Sequence, residues 1–151
     1  FFQWKPTQKF EVVYSNGFVE HFSNWEEVLL RHAEFVKPGG RLLVSAPNFR
    51  GAFQKFFHHW VDRKNLSMHY LPSMDPELWS QALERLGFKI LYTGYFDRFD
   101  FWVGVQERTF IQKWAYWTLR ALIPVLNKVL PRNSFFSSPY CGVVAERPRG
   151  E

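Results

Sequence analysis

The hydrophobic period of the chain changes twice between residues 9 and 47. "KFEVVYS" (9–15) is a short run of β-formers, apolar toward both sides, and predicts a strand in an α/β sheet. "WEEVLLRHAEFV" (25–36) then repeats apolar residues at Val28, Leu29, Ala33 and Val36, which is the period of a helix. Asn24 stands where an N-cap belongs, and Glu26 and Glu27 fall in the first turn, where the helix dipole favours them. "KPGG" (37–40) reads as the helix stop, and "RLLVSAP" (41–47) as a second buried strand. Strand, helix and strand in this span imply a right-handed parallel crossover.

Farther along, "NFRGAFQKFFHHWVDRKN" (48–65) reads as a loop bearing a glycine and then an aromatic, basic helix. "DPELWSQALERLG" (75–87) has the clearest helix signals: Asp75 as N-cap, Pro76 at the first helical position, Glu77 in the first turn and Gly87 as the stop. "FKILYTGYF" (88–96) predicts a third strand. "ERTFIQKWAYWTLRALIPVLNKVL" (107–130) predicts a long amphipathic helix with Pro124 inside it, and "SPYCGVVAERP" (138–148) a last strand. Strands alternating with helices predict an α/β layered fold, and no linker-like stretch divides it.

Composition narrows the picture. Hydrophobic residues make up 46% of 151, enough for one packed core. Aromatic residues reach 20%, with 17 Phe and 7 Trp, more ring surface than a core of this size needs, so part of it is expected to line a pocket or an interface. The net charge of +5 permits anionic partners without requiring them. The one cysteine, Cys141, cannot close an internal disulfide, and no apolar run reaches the roughly 18 residues that span a bilayer. A cytoplasmic location is the expectation.

The candidate chemistry gathers at "VVYSNGFVEHF" (12–22), where a hydrophobic strand ends in Ser15, Asn16, Gly17, Glu20 and His21. Gly17 would let the backbone come close to a ligand, and Ser15 and Asn16 offer hydrogen bonds. His58, His59 and His69 match no compact ligand spacing, and no metal site is expected. "RGAFQKFFHHWVDRKN" is basic and aromatic, but Asp62 interrupts its charge and no recognised nucleic-acid motif stands nearby; no nucleic-acid partner is expected.

In order and spacing, "YSNGFVEHF", then "KPGG", then "SAPN", with "GFKI" at 87–90 and "SPYCGVVAERP" near the end, resembles the second half of class I S-adenosylmethionine-dependent methyltransferases. The resemblance implies a partial Rossmann-like methyltransferase sheet flanked by helices, strands 4-5-7-6 of that family's fold. It implies S-adenosyl-L-methionine as cofactor and a small-molecule methyl acceptor. The first half of the family pattern, with its Gly-rich turn, is not in these 151 residues. Residues 1–151 are therefore expected to form the carboxyl-terminal half of a methyltransferase domain, inactive alone and partnered by an amino-terminal half. The strand at 10–15 is then expected to be an exposed apolar edge.

The same resemblance implies site residues. Ser15, Asn16, Gly17, Glu20 and His21 would border the cofactor, at the carboxyl end of a strand beside the topological switch point. His21 is the candidate general base, needed only if the nucleophile must lose a proton. The 48–74 stretch takes the place of a substrate lid, with Asn48, Arg50, Phe53 and Trp60 as acceptor-binding candidates. Phe1 and Phe2 fall where the family flanks adenine, but as chain-end residues they are not assigned to the site. The helix at 107–130 is expected to pack on the sheet or cap the cleft. The alternative is a non-catalytic module binding a partner or a membrane surface, with peripheral contact through 107–130.

Overall fold

The computed structural model describes residues 2–3, 7–104 and 107–150; Phe1 lies outside them. In chain order the elements are β1 (Phe10–Asn16), a 3-10 turn (Val19–His21), α1 (Trp25–Glu34), β2 (Val36–Pro47), α2 (Ala52–Val61) and α3 (Arg63–Ser67). A second 3-10 turn (Leu71–Ser73), α4 (Pro76–Arg85), β3 (Lys89–Phe96), α5 (Phe110–Val129) and β4 (Tyr140–Glu146) follow. The strands form one sheet in the order β1-β2-β4-β3. β1 and β2 run parallel, joined by α1, and β4 is antiparallel to both its neighbours. This is the α/β sheet and strand order the sequence predicts.

The two faces of the sheet differ. Val28, Leu29 and Ala33 of α1 and Trp79, Ala82 and Leu83 of α4 pack with Leu42, Val44 and Ala46 of β2 and Cys141, Val143 and Ala145 of β4. Each fully buried Leu or Val there stabilises by about 1.5–3 kcal/mol. Because side chains alternate along a strand, Tyr14, Leu43, Tyr92, Tyr140 and Val144 line the opposite face, a shallow apolar depression. β1 lies at the sheet edge, where Val12 is 59% and Tyr14 64% exposed.

A second, smaller cluster stands apart from the first. Val61 of α2, Phe99, Phe101 and Leu119 of α5 are buried together, with Phe53 and Phe57 against them. The long helix therefore packs on α2 and the 99–101 segment instead of on the sheet. Its N-terminus carries a capping box that the sequence reading passed over: Gln112 N–H donates to Thr109 Oγ1, and Thr109 N–H donates to Gln112 Oε1.

Two local readings are corrected. "KPGG" does not stop a helix. α1 ends at Glu34, and β2 begins at Val36 and runs through all four residues. The parallel register slips there, Phe10 facing Val36 but Val12 facing Arg41. A Cβ on Gly40 would sit 2.9 Å from three backbone carbonyl oxygens, so the close approach needs glycine. Asn24 does not cap α1 through its side chain, which instead donates to Glu27 at 2.7 Å. Asp75 does cap α4, accepting from the Glu77 amide at 3.1 Å.

Candidate functional site

The carboxyl ends of β1 and β2 lie side by side, and the polar turn sits on them. Ser15 is buried and Asn16 exposed. Ser45 Oγ donates to Asn16 Oδ1 at 2.8 Å, and Gly17 N–H donates to the Ser45 carbonyl at 2.9 Å. Gly17 has φ +64°, a left-handed conformation that favours glycine. A Cβ on it would meet one atom within 4 Å, Glu20 Oε1 at 3.5 Å. The conformation, more than close packing, accounts for this glycine.

Glu20 is 1% exposed, and its Oε2 has no hydrogen-bond partner. Burial pushes its carboxyl above the usual carboxylate range, against the counter-pull of a local backbone hydrogen bond and His21. The chain then returns to this spot from far downstream. Tyr70 N–H donates to the Glu20 carbonyl at 2.7 Å. His21 Nδ1 lies 3.4 Å from the Met68 carbonyl, and the rings of His21 and His69 are 4.6 Å apart. His69 Nδ1 donates to the Asn65 carbonyl at 2.7 Å, and Phe49 packs edge-on against its ring. Burial also lowers the His69 imidazole below its ordinary range. One potential ligand atom each from Glu20, His21 and His69 lie within 4.8 Å of one another.

The five strand-end residues are thus brought together, and His69 joins them. Sequence reading weighed His69 with His58 and His59 and set all three aside by spacing. The signal was tertiary: His69 meets a glutamate and a histidine 49 and 48 residues earlier in the chain.

The acceptor candidates do not gather at the same place. Asn48 is fully buried. Its amide donates to the Phe135 and Ser138 carbonyls at 2.8 and 3.0 Å, and its Oδ1 accepts from Gly51 N–H at 3.1 Å. It staples the end of β2 to the approach to β4. Arg50 pairs with Asp75 and reaches the Met74 carbonyl at 3.4 Å, tying the same loop to the start of α4. Phe53 packs into the α2–α5 cluster, and Trp60, 66% exposed, stacks on Phe56 along the groove between those helices.

A sheet of this order, with a polar turn on the carboxyl ends of its parallel pair, defines a Rossmann-like ligand-binding class. The sequence pattern of a family described as a methyltransferase domain matches residues 1–93, and the chain belongs to that family. Two solved structures share the fold. A SAM-dependent methyltransferase from Archaeoglobus fulgidus superimposes with a TM-score of 0.56 at 19% identity, over 92% of this chain and 60% of that one. A protein assigned as a methyltransferase from Bacillus halodurans C-125 gives 0.50 at 17% identity, over 96% and 74%. This chain thus spans about 60% of the length of the Archaeoglobus protein. No curated protein sequence matches it significantly.

Proposed function

We propose that this chain forms part of an enzyme that transfers a methyl group from S-adenosyl-L-methionine to a small-molecule nucleophile, at the carboxyl ends of β1 and β2. One observation carries the reading. In a chain of the methyltransferase-domain family, the polar turn from Ser15 to His21 sits at the carboxyl ends of the parallel pair β1 and β2. The residues present fit one wall of a cofactor cleft: Asn16 and Gly17 are exposed, and a Cβ on Gly17 would make only an ordinary contact, with Glu20 Oε1 at 3.5 Å.

The cofactor supplies an electrophilic methyl group on a sulfonium, so the protein's work is alignment and exclusion of water. Ser15, Asn16 and Gly17 would hold the cofactor against the strand ends. Glu20 and His21 would border the cofactor beside them. His21, exposed beside this turn, would accept a proton if the nucleophile is a hydroxyl or a protonated amine. Asn48 and Arg50 act on the acceptor by fixing the loop beneath it, since their polar groups are committed within the protein.

A second reading, a module that binds a membrane surface or a partner, draws on α5. Phe110, Ile111, Trp114, Trp117, Val125 and Val129 are each more than half exposed on it. Among the described residues no helix is long and apolar enough to cross a membrane, so contact of this kind would be peripheral.

Equilibrium dialysis with radiolabelled S-adenosylmethionine, on this chain joined to the amino-terminal half that the reading calls for, tests the first reading. Saturable binding displaced by S-adenosylhomocysteine supports it. Absence of saturable binding, together with co-sedimentation on acidic vesicles, favours the second.

A further inference from the structure

We infer that Glu20, His21 and His69 form a binding site for a divalent transition-metal ion. Two features of the cluster point to a ligand and not to packing alone. First, the Glu20 carboxylate is buried, yet its Oε2 finds no donor. A buried acceptor without a partner is costly unless something supplies positive charge or a proton. Second, each imidazole has its Nδ1 turned to a backbone carbonyl, His69 to Asn65 at 2.7 Å and His21 to Met68 at 3.4 Å. Metal-binding histidines are commonly held this way: a carbonyl takes the proton on one ring nitrogen and leaves the other, here Nε2, with its lone pair outward.

The geometry is close to what an ion requires. The three ligand atoms lie within 4.8 Å of one another. Ligands about 2.1 Å from a common ion sit roughly 3–3.5 Å apart, so modest side-chain rotations close the site. His21 is exposed and its contact with the Met68 carbonyl is long, 3.4 Å, which leaves its ring room for such a rotation. The frame beneath is fixed, because the Tyr70 amide on the Glu20 carbonyl ties the two segments together at 2.7 Å.

Two imidazoles and one carboxylate select borderline ions such as Zn²⁺, Co²⁺, Mn²⁺ or Fe²⁺ over Ca²⁺ or Mg²⁺, which prefer all-oxygen sets. Three protein ligands leave coordination positions open. On the methyl-transfer reading, those positions face the acceptor. An ion there would bind an acceptor hydroxyl oxygen and lower its pKa, so that its proton passes to solvent water and His21 is not needed as the base. The role rests on that reading, but the binding of the ion does not.

The test uses the purified protein freed of metal with a chelator, without cofactor or acceptor. Co²⁺ is titrated by its visible absorption and Zn²⁺ by calorimetry. The site predicts about one ion per chain and a Co²⁺ spectrum of mixed nitrogen and oxygen ligation. His21→Ala and His69→Ala should each weaken binding at least about tenfold, since even outer-shell changes cost that much. His59→Ala removes an exposed histidine of α2 and should change nothing. Circular dichroism checks the fold of each variant; if His69→Ala misfolds, His21→Ala decides, because His21 is exposed. Binding that is unsaturable, that survives His21→Ala unchanged, or that is lost in His59→Ala overturns the inference. A protein that binds one ion but, even when joined to its proposed amino-terminal half, no S-adenosylmethionine would overturn the proposed function and leave this site standing.

Discussion

His58 Nδ1 stands 3.6 Å from Asp62 Oδ2, one helical turn farther along, and both side chains are fully buried. The carboxylate is the hub of the joint between α2 and α3. It accepts from Asn65 Nδ2 at 3.0 Å and from the Gly104 amide at 2.7 Å, and Arg108 lies 3.8 Å away. Burial by itself would raise the Asp62 carboxyl, but His58, the Gly104 amide and Asn65 outweigh it and hold the group below its usual range.

Removing the hub should therefore be costly. Asp62→Ala leaves the Gly104 amide and the Asn65 side chain without their acceptor and should lower stability by about 3–5 kcal/mol, read from urea denaturation. The pH dependence follows from the lowered pKa. The carboxylate's contribution is present in full above the unfolded-state value, about pH 4, and is lost as pH falls through the folded value. The stability gap between wild type and Asp62→Asn should narrow as pH drops below about 4. A constant gap from pH 7 to 3 would show that folding does not shift the Asp62 pKa.

Much of this architecture could be read from the sequence, and what was missed has physical causes. The periods of 9–15, 25–36, 41–47 and 88–96 gave strands and helices because each buries one face on a single core. "KPGG" was misread because Pro and Gly stop helices more often than they bend strands; here the bend is set by tertiary contacts, the amide of Gly39 on the Arg147 carbonyl and Arg147 N–H on the Gly40 carbonyl. The polar turn Ser15–His21 was visible as a local cluster. His69 was not, because nothing local distinguishes it from His58 or His59; only the fold carries it to Glu20. The partner of α5 was hidden for a similar reason. An amphipathic pattern tells which face is apolar but not whether a sheet or another helix will meet it.

Cys141 should be chemically silent in the native protein. It is fully buried in β4, its thiol near the Pro47 and Met74 carbonyls at 4.0 and 3.8 Å. Burial first, and then the nearby Glu20 and Asp75 charges, push the thiol well above its ordinary range, so almost no thiolate exists at neutral pH. A thiol-reactive dye should label it only after denaturant is added. Rapid labelling of the folded protein at pH 7 would mean that this strand opens readily.

β1 should drive self-association. It is an edge strand with exposed Val12 and Tyr14 beside an uncovered apolar sheet face. Such edges pair with other chains unless charge or bulk blocks them. Tyr14→Lys should shift the protein toward monomer in analytical ultracentrifugation without lowering its melting temperature. If the distribution of species is unchanged, association runs through another surface.

The account rests on the turn at the ends of β1 and β2 being the cofactor wall. Titration calorimetry with S-adenosylhomocysteine, on this chain joined to its proposed amino-terminal half and carrying wild-type sequence, Asn16→Ala, Gly17→Val or Glu84→Ala, tests this directly. Asn16→Ala removes one hydrogen bond, worth about 1 kcal/mol, and should weaken binding by up to about tenfold. Gly17→Val forces a β-branched side chain into a left-handed φ of +64° and should weaken it further. Glu84, exposed on α4, should be neutral. Wild-type affinity in both turn variants, with a loss in Glu84→Ala, would contradict the account and put the cofactor elsewhere.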